Sequence, residues 1–134
     1  MTMVVDASVA VKWVLPEAGS ERAAAIRTAD DDLIAPSLAC AEIGSAIWRA
    51  VVRGDVRAAE ARDNLHIALA HYRRIVAIEE LAVRAIELAV RLRHPIYDCF
   101  YLALAERERC AFLTADARLI AAAKSKKGLE LRQL

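Results

Sequence analysis

Residues 1–15 read MTMVVDASVAVKWVL. Met1 to Val5 is a short apolar run with β-branched residues, the composition of a buried strand. Ala7 to Leu15 reads as a helix stopped by Pro16. One carboxylate, Asp6, stands at the junction. A second stretch has the same form. Ala111 to Thr114 is apolar, Asp116 follows one residue later, and Ala117 to Lys126 reads as a helix. Nearly continuous apolar runs suit the central strands of a parallel sheet covered on both faces.

Outward from these two units, strands and helices alternate. Glu17 to Ala29 is helical, Asp30 to Asp32 breaks it, and Leu33 to Ala35 is a second strand. Pro36-Ser37 opens a helix that reaches Arg53, where Gly54-Asp55 ends it as a C-cap. Arg57 to Tyr72 is a further helix, Arg74 to Ile78 a third strand and Glu79 to Arg93 a helix broken by His94-Pro95. Tyr97 to Arg109 is helical again, and Leu129 to Arg132 is a last strand. The pattern predicts an α/β fold built around a mainly parallel sheet.

With 134 residues, the length of one ordinary domain, the chain reads as a single domain over 1–134. A hydrophobic fraction of 57% supplies a core, and aromatics at 5% leave its construction to aliphatic residues and alanine. The net charge of +1 excludes the global positive field of a tail-type nucleic-acid binder, so any nucleic-acid contact must be local. The Ala and Arg excess is what a GC-rich genome encodes and carries no functional weight. Cys40, Cys99 and Cys110 form no CxxC and lie among apolar neighbours, which predicts buried thiols in a reducing compartment. Asp6 arrives too early for a signal peptide, and no uncharged run approaches the ~20 residues of a spanning helix. A soluble, cytoplasmic protein without a membrane partner is expected.

Most acids sit in mixed-charge amphipathic stretches such as Glu106 to Glu108. Four differ. Asp6 is the only charge between Met1 and Val11, Glu42 between Leu33 and Trp48, and Asp116 between Cys110 and Ala117. Asp98 is the only one between His94 and Ala105 if His94 is neutral. A carboxylate in an apolar run is costly unless it is paired or binds a cation. An N-cap or first-turn role would account for Asp98 or Asp116 alone, but four such residues together point to a shared site. Asp6 and Asp116 follow strands whose carboxyl ends are where open α/β sheets hold ligands. Asp98 and Glu42 are expected in the first turns of their helices, where the dipole favours anions.

Two carboxylates within ~4 Å repel by about 4 kcal/mol at an effective dielectric near 20, so such a cluster needs a cation or must hold protons. Oxygen ligands without histidine or cysteine suit Mg²⁺ or Mn²⁺ and disfavour zinc. Mg²⁺ among carboxylates usually serves phosphate chemistry. Ser8 and Thr114 are candidates to orient the carboxylates or a bound water, with capping of a helix or strand end as the other role open to them.

The ordered segments VVDASVAVKWVLPE, SLACAEIGSAIW, PIYDCFYLALAER and FLTADARLIAAA resemble the PIN-domain ribonucleases, and most closely the VapC-type toxins of bacterial and archaeal toxin–antitoxin pairs. The resemblance spans essentially the whole chain. It implies a three-layer α/β/α sandwich, with helices 17–29 and 38–72 projecting as a clip. It implies an acidic cluster of Asp6, Glu42, Asp98 and Asp116 for Mg²⁺- or Mn²⁺-dependent RNA hydrolysis. Asp6, Asp98 and Asp116 would be the metal contacts and Glu42 would act through water. It further implies a homodimer and a cognate VapB-type antitoxin whose C-terminal segment lies in a groove. Cys99 stands where the family often has alanine, a small buried residue in either case.

The reaction expected is hydrolysis by water with no covalent intermediate, since the chain has no Ser-His-Asp spacing and no P-loop. His66, His71 and His94 read as surface residues. Lys12, which follows Asp6 and Ser8, is the foremost candidate for RNA contact. Arg49, Arg53, Arg91, Arg93 and the Lys124, Lys126, Lys127 group come behind it. Trp13 and Trp48 read as core or interface aromatics. Two alternatives remain. One is a catalytically silent PIN-like module that only binds a partner. The other is an aspartyl-phosphate phosphotransfer domain, which would want an acid where Ser8 stands.

Overall fold

The computed structural model describes residues 1–134. Five strands form one sheet: β1 (Thr2–Val5), β2 (Asp32–Pro36), β3 (Arg74–Val76), β4 (Ala111–Thr114) and β5 (Leu131–Gln133), in the order β3-β2-β1-β4-β5. All four pairings are parallel, with Val4 of β1 opposite Ile34 on one side and Phe112 on the other. Met3, Val4, Val5 and the whole of β4 are buried, as central strands covered on both faces must be. β1 leads to β2 on one side and borders β4 on the other. The chain therefore reverses direction across the sheet between β1 and β4, and the crevice outside their carboxyl ends is where such sheets bind ligands.

Seven α-helices flank the sheet: α1 (Ala7–Ala10), α2 (Ser20–Thr28), α3 (Leu38–Arg53), α4 (Ala61–Ala70), α5 (Ala82–Leu92), α6 (Ile96–Glu108) and α7 (Ala117–Ala123). α6 packs across β1, β2 and β4 and pairs with α5. Its residues Cys99 to Ala105 are all buried, so its middle two turns have no wet face. α3 and α4 pack on each other, while α2 packs chiefly on the turn Val11–Trp13. Gly54 ends α3 at φ +83°. Its N–H donates to Val51 and that of Asp55 to Ala50, the paired closure that favours glycine. α5 and α6 close in the same way on left-handed Arg93 and Arg109. A single cluster of 35 buried hydrophobic residues forms the core.

The helix foreseen over 7–15 stops at Ala10 and continues as a 3₁₀ turn, Val11–Trp13. The helix foreseen over 57–72 is a 3₁₀ turn, Ala58–Glu60, followed by α4. The third strand ends at Val76, with a 3₁₀ turn before α5, and the last strand starts at Leu131 rather than Leu129. Of the cysteines only Cys99 is buried. Cys40 and Cys110 are half-buried thiols. No helix is long and apolar enough to cross a membrane.

Candidate active site

Asp6 directly follows β1, and its N–H donates to the Leu113 carbonyl of β4 at 2.9 Å. The bond extends the ladder one residue past the strand and carries the carboxylate to the β1/β4 crevice. Asp6 is buried at 5% exposure, so it must be held by donors. Thr114 Oγ1 donates to Asp6 Oδ2 at 2.6 Å and Ser8 Oγ donates to the same oxygen at 2.8 Å. The two hydroxyls are themselves fixed: Ala115 N–H donates to Ser8 Oγ and Asp116 N–H donates to Thr114 Oγ1, each at 3.0 Å. Ser8 and Thr114 thus hydrogen-bond the Asp6 carboxylate and at the same time take up the N–H groups just past the end of β4. Burial raises the Asp6 pKa, the Thr114 and Ser8 hydrogen bonds lower it, and the charge of Asp98 raises it further.

Glu42 reaches the crevice from α3. It stands in the second turn of that helix, not the first, because the helix begins at Leu38. The helix dipole therefore does little for it. A buried phenol holds it instead: Tyr101 Oη donates to Glu42 Oε1 at 2.7 Å. Burial pushes the Glu42 carboxyl up from 4.5 to about 7, against the Tyr101 hydrogen bond that lowers it, and the charges of Asp6 and Asp98 add to the rise.

Asp98 lies in the first turn of α6. Asp116 precedes α7, and its Oδ1 accepts from Arg118 N–H at 2.9 Å, capping that helix. Asp6, Glu42, Asp98 and Asp116 all line one pocket, together with Ser8, Arg49 and a fifth carboxylate, Glu17, which is paired with Lys12. Each of the first four carboxylates spends one oxygen on the protein: Asp6 Oδ2, Glu42 Oε1, Asp98 Oδ2 and Asp116 Oδ1. The second oxygens of Glu42, Asp98 and Asp116 accept no hydrogen bond from the chain.

The PIN domain family profile matches residues 3–125. The chain belongs to the PIN-domain family. Among curated relatives, Ribonuclease VapC3 of Pyrobaculum aerophilum is 31% identical over 121 residues, 89% of this chain and 92% of that protein. Ribonuclease VapC9 of Mycobacterium tuberculosis is 34% identical over 119 residues, 87% of each chain. Among solved structures, VapBC2 from Rickettsia felis, bound to a DNA fragment from its promoter, superposes with a TM-score of 0.72 at 15% identity. That match covers 100% of this chain and 99% of the other. A toxin–antitoxin complex from Klebsiella pneumoniae gives 0.70 at 13% identity, covering 95% and 94%. At those identities the structural matches speak for the PIN fold alone.

The acid donors of this PIN domain pocket are of the type that hard divalent cations take. They are oxygens only, and the protein supplies too few positive partners for their negative charge. No three His, Cys, Asp or Glu side chains stand close enough to enclose an ion, so the carboxylates converge on a pocket without forming a cage.

Lys12 belongs to the Val11–Trp13 turn and is already engaged. Its Nζ donates to the Ala18 carbonyl at 2.8 Å and to Glu17 Oε2 at 3.2 Å, which ties down the loop before α2. Arg49, one of the secondary candidates, is the basic side chain that lines the acid pocket. Arg53 pairs with Asp55, and Lys126 pairs with Glu106.

Two histidines are not free surface residues. His71 packs edge-on against Trp13, with ring centroids 5.3 Å apart. His94 Nε2 lies 2.6 Å from Asp98 Oδ2. The residues are four apart, and the turn from Pro95 into α6 brings the imidazole back over the first helical turn. In the sequence Tyr101 reads as one more apolar position of α6. Its signal was the spacing of three from Asp98, which puts both on one helix face.

Proposed function

We propose that this PIN domain is a VapC-type endoribonuclease toxin that hydrolyses RNA phosphodiesters at Asp6, Glu42, Asp98 and Asp116 with Mg²⁺, or Mn²⁺ in its place. The observation that carries the reading is the convergence of Asp6, Glu42, Asp98 and Asp116, none paired with a Lys or Arg and each from a separate element, on one pocket at the β1/β4 crevice. The relatives named ribonucleases, aligned over most of the chain, support it. Asp6, Asp98 and Asp116 would hold the cation, and Glu42 would contact it through water. When bound, such a cation polarises a phosphoryl oxygen and lowers the pKa of a water.

The chain's own contributions follow from the geometry. Ser8 and Thr114 clamp Oδ2 of Asp6 and leave Oδ1 for the ligand. Tyr101 fixes Oε1 of Glu42, leaving Oε2 to take up or release a proton. Arg49 supplies positive charge at the pocket for a phosphate that the acids alone would repel.

The whole chain, 1–134, acts as this one domain, in the cytoplasm. The partner is a VapB-type antitoxin. Its site is the apolar groove between α3 and α4, lined by Gly44, Ile47, Trp48, Val51 and Leu65. Trp48 is 63% exposed there, a large apolar surface of the kind that marks an interface. Val83, Ile86 and Val90 of α5 and nearby Tyr97 are also exposed and support a homodimer.

Induced expression in a bacterial host tests the toxin reading. Wild type is expected to arrest growth and Asp98→Asn is not. Equal arrest by both variants would overturn the assignment of toxicity to the acid pocket.

A further inference from the structure

His94 is outside the carboxylate set, yet it touches it. The ring is 15% exposed and its Nε2 lies 2.6 Å from Asp98 Oδ2. An ionised carboxylate only accepts, so Nε2 is the donor, and it carries a proton for this bond in the neutral and the charged ring alike. The backbone around the ring is fixed. His94 N–H donates to the Ala89 carbonyl at 3.1 Å, closing the end of α5, and Arg93 before it holds the left-handed conformation, φ +50°, that this closure requires. Pro95 follows at φ −53°, a value its ring imposes, and α6 starts at once. A side chain rooted in the end of α5 thus grips a carboxylate in the first turn of α6. Asp98 has no other hydrogen-bond partner in the chain, whereas Asp6 has two hydroxyls on its Oδ2.

We infer that His94 is a positioning residue. It holds the Asp98 carboxylate by Oδ2 in the one orientation that presents Oδ1 to a divalent cation in the acid pocket. The inference rests on reading Asp98 as a cation contact. Partners that orient ligand side chains typically govern metal affinity by about 10- to 100-fold.

The test is Mn²⁺ titration of the metal-free 134-residue protein, followed by the paramagnetic resonance signal of free Mn²⁺, with thermal unfolding of the same samples. His94→Ala, and His94→Phe, which fills the ring's space without a donor, should each weaken binding about 10- to 100-fold. His94→Gln, which keeps an N–H donor, should recover most of the loss, and metal-free unfolding temperatures should stay close to that of wild type. A purely structural role would lower the unfolding temperature of all three variants, with no rescue by Gln. Wild-type affinity in His94→Ala and His94→Phe, beside weakened binding in Asp98→Asn, would overturn the inference and leave the acid pocket standing. Unchanged binding in Asp98→Asn would overturn both.

Discussion

Replacing Glu42 with Gln tests whether the acid pocket stores unfavourable charge. Burial first, then Asp6 and Asp98, lift the Glu42 carboxyl from 4.5 to about 7. The folded value lies above the unfolded one, so the folded chain prefers Glu42 protonated. The resulting stabilisation of the protonated form is fully present below about 4.5 and is lost as pH rises through about 7. At face value the rise from 4.5 to about 7 corresponds to roughly 3 kcal/mol, at about 1.36 kcal/mol per unit. Glu42 is only half-buried, and solvent screening reduces the figure to about 1–2 kcal/mol. Gln keeps an oxygen to accept from Tyr101 and carries no charge. Urea unfolding of the metal-free proteins should show Glu42→Gln more stable by about 1–2 kcal/mol near pH 8, with the difference vanishing as pH falls toward about 4.5. A variant no more stable than wild type near pH 8, or an advantage independent of pH, would refute the reasoning.

Tyr101→Phe removes the donor to Glu42 Oε1 and the acceptor for Ala7 N–H; a loss of about 1–3 kcal/mol is expected in urea unfolding at neutral pH, and unchanged stability would contradict it. Arg49→Ala, at an exposed position, should leave stability within about 0.5 kcal/mol. It should also weaken retention of single-stranded RNA and lower the slope of log affinity against log salt by about 1, whereas an unchanged slope would remove Arg49 from the RNA contact. Arg109 sits at φ +52°, so Arg109→Gly should raise stability by about 0.5–1 kcal/mol, and a lower midpoint would show that the Arg side chain outweighs its backbone strain.

The parts of the fold legible from sequence are those with one dominant cause. β1 and β4 announce themselves because a strand buried on both faces is apolar throughout, and α3 announces its end because Gly54 is suited to a left-handed closure. The order β3-β2-β1-β4-β5 left no such mark, since pairing in a parallel sheet is decided by helix packing between distant segments. Asp6 and Asp98 stood out as lone charges in apolar runs. The groups that hold the carboxylates were harder to see. Tyr101 hides among the apolar residues of α6, and its role depends on Glu42, 59 positions away. His94 lay behind Pro95, which reads as the end of one helix and conceals that the next turn brings residue 98 back beneath residue 94. Lys12 drew attention by its nearness to Asp6 in sequence, but the loop that follows supplies closer partners in Glu17 and the Ala18 carbonyl.

The most direct measurement is cleavage of total RNA by the purified protein with Mg²⁺, with Mn²⁺ and with EDTA, beside Asp6→Asn. The account predicts discrete cleavage with either cation, none with EDTA and none from the variant. Cleavage that persists in EDTA, or that Asp6→Asn carries out as fast as wild type, would contradict the claim that the carboxylate pocket at the end of β1 is the nuclease site.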